Sequence, residues 1–232
     1  MKPTIHSPFF VFNIKAYLYG DAAVDMARHC DALAKTYDTD IIFTAQPADL
    51  YRVAQATERI LVTAQHMDPI APGRGMGKIL PESLKAAGAQ AVVLNHAECP
   101  MAFANLSQAV SRARALDMLS IVCADTPEES RAIATLNPDI MICEPSALIG
   151  TGTTSSMDYV QSTLQAVRAV NPAIFIVEAA GVATGEDVYR MICAGADASG
   201  GTSGVLNAPN PVQKLEEKIK GMLRAKSRKT GK

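Results

Sequence analysis

The chain has 232 residues, 48% hydrophobic and 19% charged, a balance that supports an ordinary packed core and excludes an intrinsically disordered chain. Its formal charge is −1, but residues 214–232 hold 8 of the 22 basic residues and only Glu216 and Glu217 among the acids; residues 1–213 therefore carry 14 basic against 21 acidic residues, a net of −7, which argues against nucleic acid as a partner, and residues 224–232 read as a flexible solvated basic tail. Five cysteines without a CxxC spacing imply neither a disulfide framework nor a zinc site, and the absence of a leader pattern or of an apolar run near the ~18 residues of a membrane span reads as a cytoplasmic protein with no membrane partner.

From Phe9 onward, short apolar runs alternate with helical stretches. The first run, FFVFNIKAY, is followed by Ala23, Met26, Ala27, Cys30, Leu33 and Ala34 at the i, i+3, i+4, i+7 spacing of one helical face. DIIFTAQ and RILVTAQHM supply the second and third runs. A loop, Gln65 to Leu80, then intervenes before a helix begun by Pro81-Glu82-Ser83; loops of that length in a compact domain cover a site or reach a neighbouring subunit. The fourth run, AVVLNHAE, precedes a helix with Phe103, Leu106, Val110 and Ala113 on one face. The fifth, LSIVCAD, runs into Asp125-Thr126-Pro127-Glu128-Glu129, where a capping residue, an early proline and acids open a helix that Asn137-Pro138 closes. DIMICEP, AIFIVEAAG and DASGGTSG bring the count to eight.

Strands that are apolar almost throughout belong to a parallel sheet covered on its outer face, and eight strand–helix units predict an α/β fold closed into a (β/α)8 barrel. An open doubly wound sheet is the alternative. No linker or shift of composition interrupts the series, so residues 1–232 read as one domain.

In such barrels chemistry collects at the carboxyl ends of the strands. Asn13 and Lys15 lie two apart, which in a strand sends both side chains to the same side. An ammonium there attracts a phosphate or polarises a carbonyl, unless it snorkels to solvent. His96 lies just past the fourth run and before Cys99-Pro100, where a short helical turn is expected to begin and to bias the imidazole toward its neutral form. A histidine merely satisfied inside the barrel is the alternative, and His66 occupies a similar place.

Glu144, delivered by an apolar strand, should have a raised pKa and serve as a base, with Gly150 and Gly152 letting the next loop close over it; a structural ion pair is the other reading. Gly181, Gly200, Gly201 and Gly204, with Thr202 and Ser203, mark the last two strand ends, either as a phosphate cradle of backbone amides or as tight turns alone. Neither a metal-ligand cluster nor G-x-G-x-x-G is present, so no metal or nucleotide cofactor is expected.

Asn13-Ile14-Lys15, Gln65-His66, Leu94-Asn95-His96-Ala97-Glu98, Glu144-Pro145 with Leu148-Ile149-Gly150-Thr151-Gly152, and Thr184-Gly185-Glu186-Asp187-Val188 occur in an order and spacing by which the chain resembles the triosephosphate isomerase family, in its short archaeal-type form. The resemblance implies a TIM barrel that isomerises a small phosphorylated sugar without cofactor, through an enediolate. It implies that Glu144 shuttles the proton, neutral His96 and Lys15 stabilise charge on the oxygens, and Asn13 helps position the substrate. These roles are the family's own, a standing example of tuned acid–base chemistry. Residues 146–152 would be the lid, Ile149, Gly150, Gly181, Thr202 and Ser203 would hold the phosphate, and a homodimer or homotetramer would form through residues 65–79.

The sequence departs from the family at several positions. Ala97 stands where serine is usual and Met76 where threonine is common. Glu178 replaces a tyrosine or cysteine and Ala179 a glycine near the expected phosphate, and Asp197 to Gly204 is unusually polar. A carboxylate beside a dianion costs ~1 kcal/mol or more unless it is paired or turned away. Another ketose phosphate, such as a tetrulose phosphate, is therefore a second candidate substrate, and a sugar-phosphate-binding barrel without turnover a third reading.

Overall fold

A computed structural model describes residues 1–229. In chain order it comprises β1 (Phe9–Asn13), α1 (Gly20–Thr36), β2 (Ile41–Ala45), α2 (Leu50–Ala56), β3 (Leu61–Ala64), α3 (Pro81–Ala86), β4 (Ala91–Leu94), α4 (Phe103–Ala115), β5 (Leu119–Ala124), α5 (Pro127–Ala134), β6 (Ile140–Cys143), α6 (Met157–Arg168), β7 (Phe175–Glu178), α7 (Gly185–Ala194), β8 (Ala198–Gly201), α8 (Ser203–Leu206) and α9 (Pro211–Lys229). Each expected strand is present. β1 pairs in parallel with β2 through Phe10 and Ile41 and with β8 through Phe10 and Ser199, so the sheet closes and the open alternative falls.

Closure divides the apolar residues into two cores. Phe9, Val11, Ile42, Val93, Ile121, Ile142 and Val177 fill the barrel, whereas Phe10, Phe12, Ile41 and Phe43 face the helices. Both faces of each strand are dry, which is why the strands read as near-continuous apolar runs. Ala23, Ala27, Cys30 and Ala34 of α1 are buried as their spacing requires, while Phe103, the first residue of α4, stands half exposed. Thr126 caps α5 by accepting from the Glu129 amide, with Pro127 in the first turn.

Helix α9 corrects the expected tail over residues 224–229. Its apolar stripe of Leu215, Ile219, Met222 and Ala225 is buried and outlasts the change to basic composition. Arg224 stacks 4.0 Å from the ring centroid of Tyr189 and pairs with Glu186, and Arg228 donates to the Tyr189 hydroxyl at 2.8 Å. Residues 230–232 of that expected tail lie outside the described residues. Among the described residues, no helix is long and apolar enough to cross a membrane.

Candidate active site

One cavity at the carboxyl ends of the strands is lined by the nine residues to which the sequence assigned catalytic or phosphate-holding roles, Asn13, Lys15, His96, Glu144, Ile149, Gly150, Gly181, Thr202 and Ser203, together with Gly152, Gly200, Gly201 and Gly204. Its floor is the upper layer of the barrel core, Val11, Ile142 and Val177. His66 lies outside it, with Nδ1 3.6 Å from Cys99 Sγ.

Asn13 and Lys15 reach the cavity by a route that strand alternation does not describe. β1 ends at Asn13, and Lys15 sits in a turn with φ +47°, a left-handed conformation that few lysines adopt. The turn is tied from both sides. Asn13 Oδ1 accepts from the Lys15 amide at 2.9 Å and from the Thr44 hydroxyl at 2.6 Å, and Gln65 Nε2 donates to the Lys15 carbonyl at 2.7 Å. The Lys15 ammonium then pairs with Glu98.

The helical turn expected after His96 is absent, and α4 begins only at Phe103. The chain instead turns back, with the Cys99 amide donating to the His96 carbonyl at 2.7 Å and the Glu98 amide donating to His96 Nδ1 at 3.1 Å. A ring nitrogen that accepts an N–H carries no proton, so the neutral ring bears its hydrogen on Nε2. Burial, followed by the charge of Lys15, lowers the imidazole pKa from its ordinary value and reinforces that form.

Asn95 escaped the sequence reading as a functional position. It adopts φ +57°, its Nδ2 donates to the Cys123 carbonyl at 3.0 Å and to Glu129 Oε1 at 3.1 Å, and its Oδ1 accepts from the Met101 amide at 3.0 Å. The histidine loop is thereby locked to β5 and α5. An asparagine at a strand end, one of the few residues at ease with positive φ, was the available signal.

Glu144 follows β6, its own amide held by the Ala124 carbonyl at 2.9 Å. Burial raises its carboxyl to about 7, against the opposing pull of Lys15. Beyond it a short 3₁₀ turn, Ser146–Leu148, is fastened to β5 by Ser146, which donates to Asp125 from its amide at 3.0 Å and its hydroxyl at 2.6 Å. Gly150 and Gly152 follow with φ of +77° and +76°. The far end of this loop presses on the turn after β7: a Cβ at Gly181, where φ is +64°, would lie 1.8 Å from the Thr153 carbonyl oxygen.

The departures at β7 resolve by strand parity. Val177 and Ala179 line the cavity, whereas Glu178 points outward and is 1% exposed. Its Oε1 accepts from the Thr163 hydroxyl of α6 at 2.7 Å, and its Oε2 is buried without a partner. Burial pushes this carboxyl well above the usual range and so favours its protonated, uncharged form. The repulsion of a bound phosphate expected from the sequence loses its basis, and with it the main argument for a different sugar.

The sequence model of the triosephosphate isomerase family matches residues 8–210. The triosephosphate isomerase of Sulfurisphaera tokodaii is 36% identical over 233 residues, 99% of this chain and 100% of that protein. The triosephosphate isomerase of Methanothermus fervidus is 37% identical over 220 residues, 93% of this chain and 99% of its own. That of Saccharolobus solfataricus is 34% identical over 229 residues, 97% and 99% of the two chains.

Proposed function

Because the chain belongs to the triosephosphate isomerase family, we propose that it interconverts glyceraldehyde 3-phosphate and dihydroxyacetone phosphate by cofactor-free proton transfer through an enediolate. The observation that carries this is one cavity holding a carboxyl raised to about 7, an imidazole whose Nδ1 is occupied, and an ammonium.

Glu144, as carboxylate, takes a proton from the carbon next to the substrate carbonyl. Charge then gathers on the two oxygens, where the Nε2–H of His96 and the ammonium of Lys15 stabilise it. Return of the proton from Glu144 to the adjacent carbon, with the hydroxyl proton passing from one oxygen to the other by way of His96 Nε2, completes the exchange of carbonyl and hydroxyl, and Asn13 holds Lys15 in its unusual turn. A base whose pKa lies near the working pH combines a populated ionised form with a strong pull on the proton, an arrangement that contributes ~10²–10⁴-fold in rate. Ile149, Gly150, Gly181, Thr202 and Ser203 would hold the phosphate.

The same reading has one barrel domain working in the cytoplasm as a homodimer or homotetramer through residues 65–79, where Met76 stands fully exposed. NMR of glyceraldehyde 3-phosphate in deuterated water tests it. Both trioses should appear with deuterium at the exchanged carbon, and E144Q should slow this by roughly 10³-fold or more. A folded wild type that binds the sugar without exchange would be a binding barrel only, and faster turnover of a tetrulose phosphate would replace the substrate.

A further inference from the structure

Lys218 lies on the buried stripe of α9, between Leu215 and Met222, and is 0% exposed. Close packing of α9 on the start of α7 sets its depth: one turn farther on, a Cβ at Gly221 would lie 2.0 Å from the Gly185 carbonyl. The Lys218 ammonium donates to the Val182 carbonyl at 2.8 Å. A Cβ at Gly201 would meet Nζ at 2.8 Å and one at Gly204 at 3.2 Å. Val182, Gly201 and Gly204 all line the active-site cavity, so the cation stands directly behind its glycine-rich wall.

Among the described residues none forms an ion pair with it, although two carboxylates act on it from a distance. Lys214 and Glu217 on α9 and Asp187 on α7 are the ionisable groups that influence it. Glu217 is engaged by Lys214 at 2.8 Å and by the Gly185 amide at 2.9 Å, and Asp187 by the Thr184 amide and hydroxyl, each at 2.8 Å. Among the described residues no carboxylate lies at ion-pairing distance from Lys218. A buried ammonium with a carbonyl partner and no counter-ion destabilises the free protein and is relieved when an anion arrives.

We propose that Lys218 is a specificity-determining residue for the phosphate end of the substrate, its ammonium giving the glycine wall a fixed positive charge that favours a dianionic phosphoryl group. The inference rests on the isomerase reading of the cavity, but its physical content is anion selectivity. Backbone amides alone favour an anion through partial charges, whereas a desolvated cation behind them favours the second negative charge more steeply.

The test compares K218M with wild type, using sulfate as the probe because it stays dianionic across the range. In K218M sulfate should bind about 10-fold more weakly, and kcat/KM for glyceraldehyde 3-phosphate should fall by about the same factor, chiefly through KM. Proton exchange of phosphate-free glycolaldehyde should fall several-fold less than that of the triose phosphate. Without anion K218M should melt above wild type, and sulfate should raise its Tm less. Unchanged sulfate affinity in folded K218M, or equal losses for the two aldehydes, would assign Lys218 to packing alone.

Should K218M not fold, sulfate affinity of the double variant E144Q/E178Q, which removes the buried carboxyls of Glu144 and Glu178, decides the matter. It should drop several-fold between pH 7 and 9.5, since burial lowers the Lys218 pKa to about 8, and a flat profile overturns the proposal. Weakened sulfate binding in K218M beside a wild type that cannot isomerise trioses would sink the isomerase reading and leave Lys218 its role. Turnover with unaltered sulfate binding would do the reverse.

Discussion

The Thr163 hydroxyl donates to Oε1 of Glu178 at 2.7 Å, across the seam between α6 and the outer wall of the barrel. That contact holds the carboxyl away from the cavity but leaves Oε2 buried without a partner. A protonated carboxyl tolerates such a place, and a carboxylate does not.

Stability should therefore depend on pH through Glu178. Its folded pKa lies above its unfolded value, so the folded chain holds the extra proton and stability falls as pH rises from about 4.5 toward the folded pKa. E178Q keeps an acceptor for Thr163 and has nothing to ionise. Its unfolding free energy should gain on wild type by up to ~1.4 kcal/mol per pH unit above that threshold. Urea denaturation at pH 5 and pH 8 measures the gap, and parallel behaviour of the two proteins would contradict the buried, protonated carboxyl.

Activity should carry the opposite sign. Glu144 acts as carboxylate, and burial has raised its pKa to about 7, so kcat/KM should decline below an acidic limb centred near that value. The limb should steepen further down, where His96, with a pKa below its ordinary 6.5, takes up a proton and can no longer remain the neutral donor. The phosphate of the substrate titrates near ~6 and adds to that lower portion. Rate measurements from pH 5 to 9 check this; a midpoint near 4.5 would mean that the cavity leaves Glu144 solvated.

The barrel was legible because its strands are dry on both faces and Thr126-Pro127 punctuates a helix with unambiguous chemistry. Asn13, Lys15, His96 and Glu144 were legible from their places at strand ends and Ile149 only through the resemblance to the family, and all of them line one cavity. What escaped was geometry that periodicity does not encode. Lys15 joins Asn13 through a left-handed turn, and His96 owes its tautomer to one backbone amide where a helix was expected. The outward face of Glu178 followed from parity with Val177 and Ala179, but the family comparison drew attention to the residue type instead. Lys218 was missed because it entered the sequence reading only as one of the 8 basic residues counted over 214–232, and a charge count does not reveal that one lysine sits on the apolar stripe.

Gly181 and Gly150 separate two uses of glycine in the same site. Both have positive φ, +64° and +77°, so an alanine at either costs ~1–2 kcal/mol of backbone strain. At Gly150 the added methyl meets nothing within 4 Å. At Gly181 it would lie 1.8 Å from the Thr153 oxygen and 2.7 Å from the Thr154 nitrogen, both backbone atoms that no rotamer change can clear. G181A must therefore push Thr153 and Thr154, which follow the 146–152 loop, off the turn after β7. It should lower Tm by several degrees more than G150A does and cut kcat/KM by more than ~10-fold. Equal effects of the two substitutions, in melting and in turnover, would show that backbone strain alone makes glycine necessary at position 181 and that the contact with Thr153 does not hold the loop.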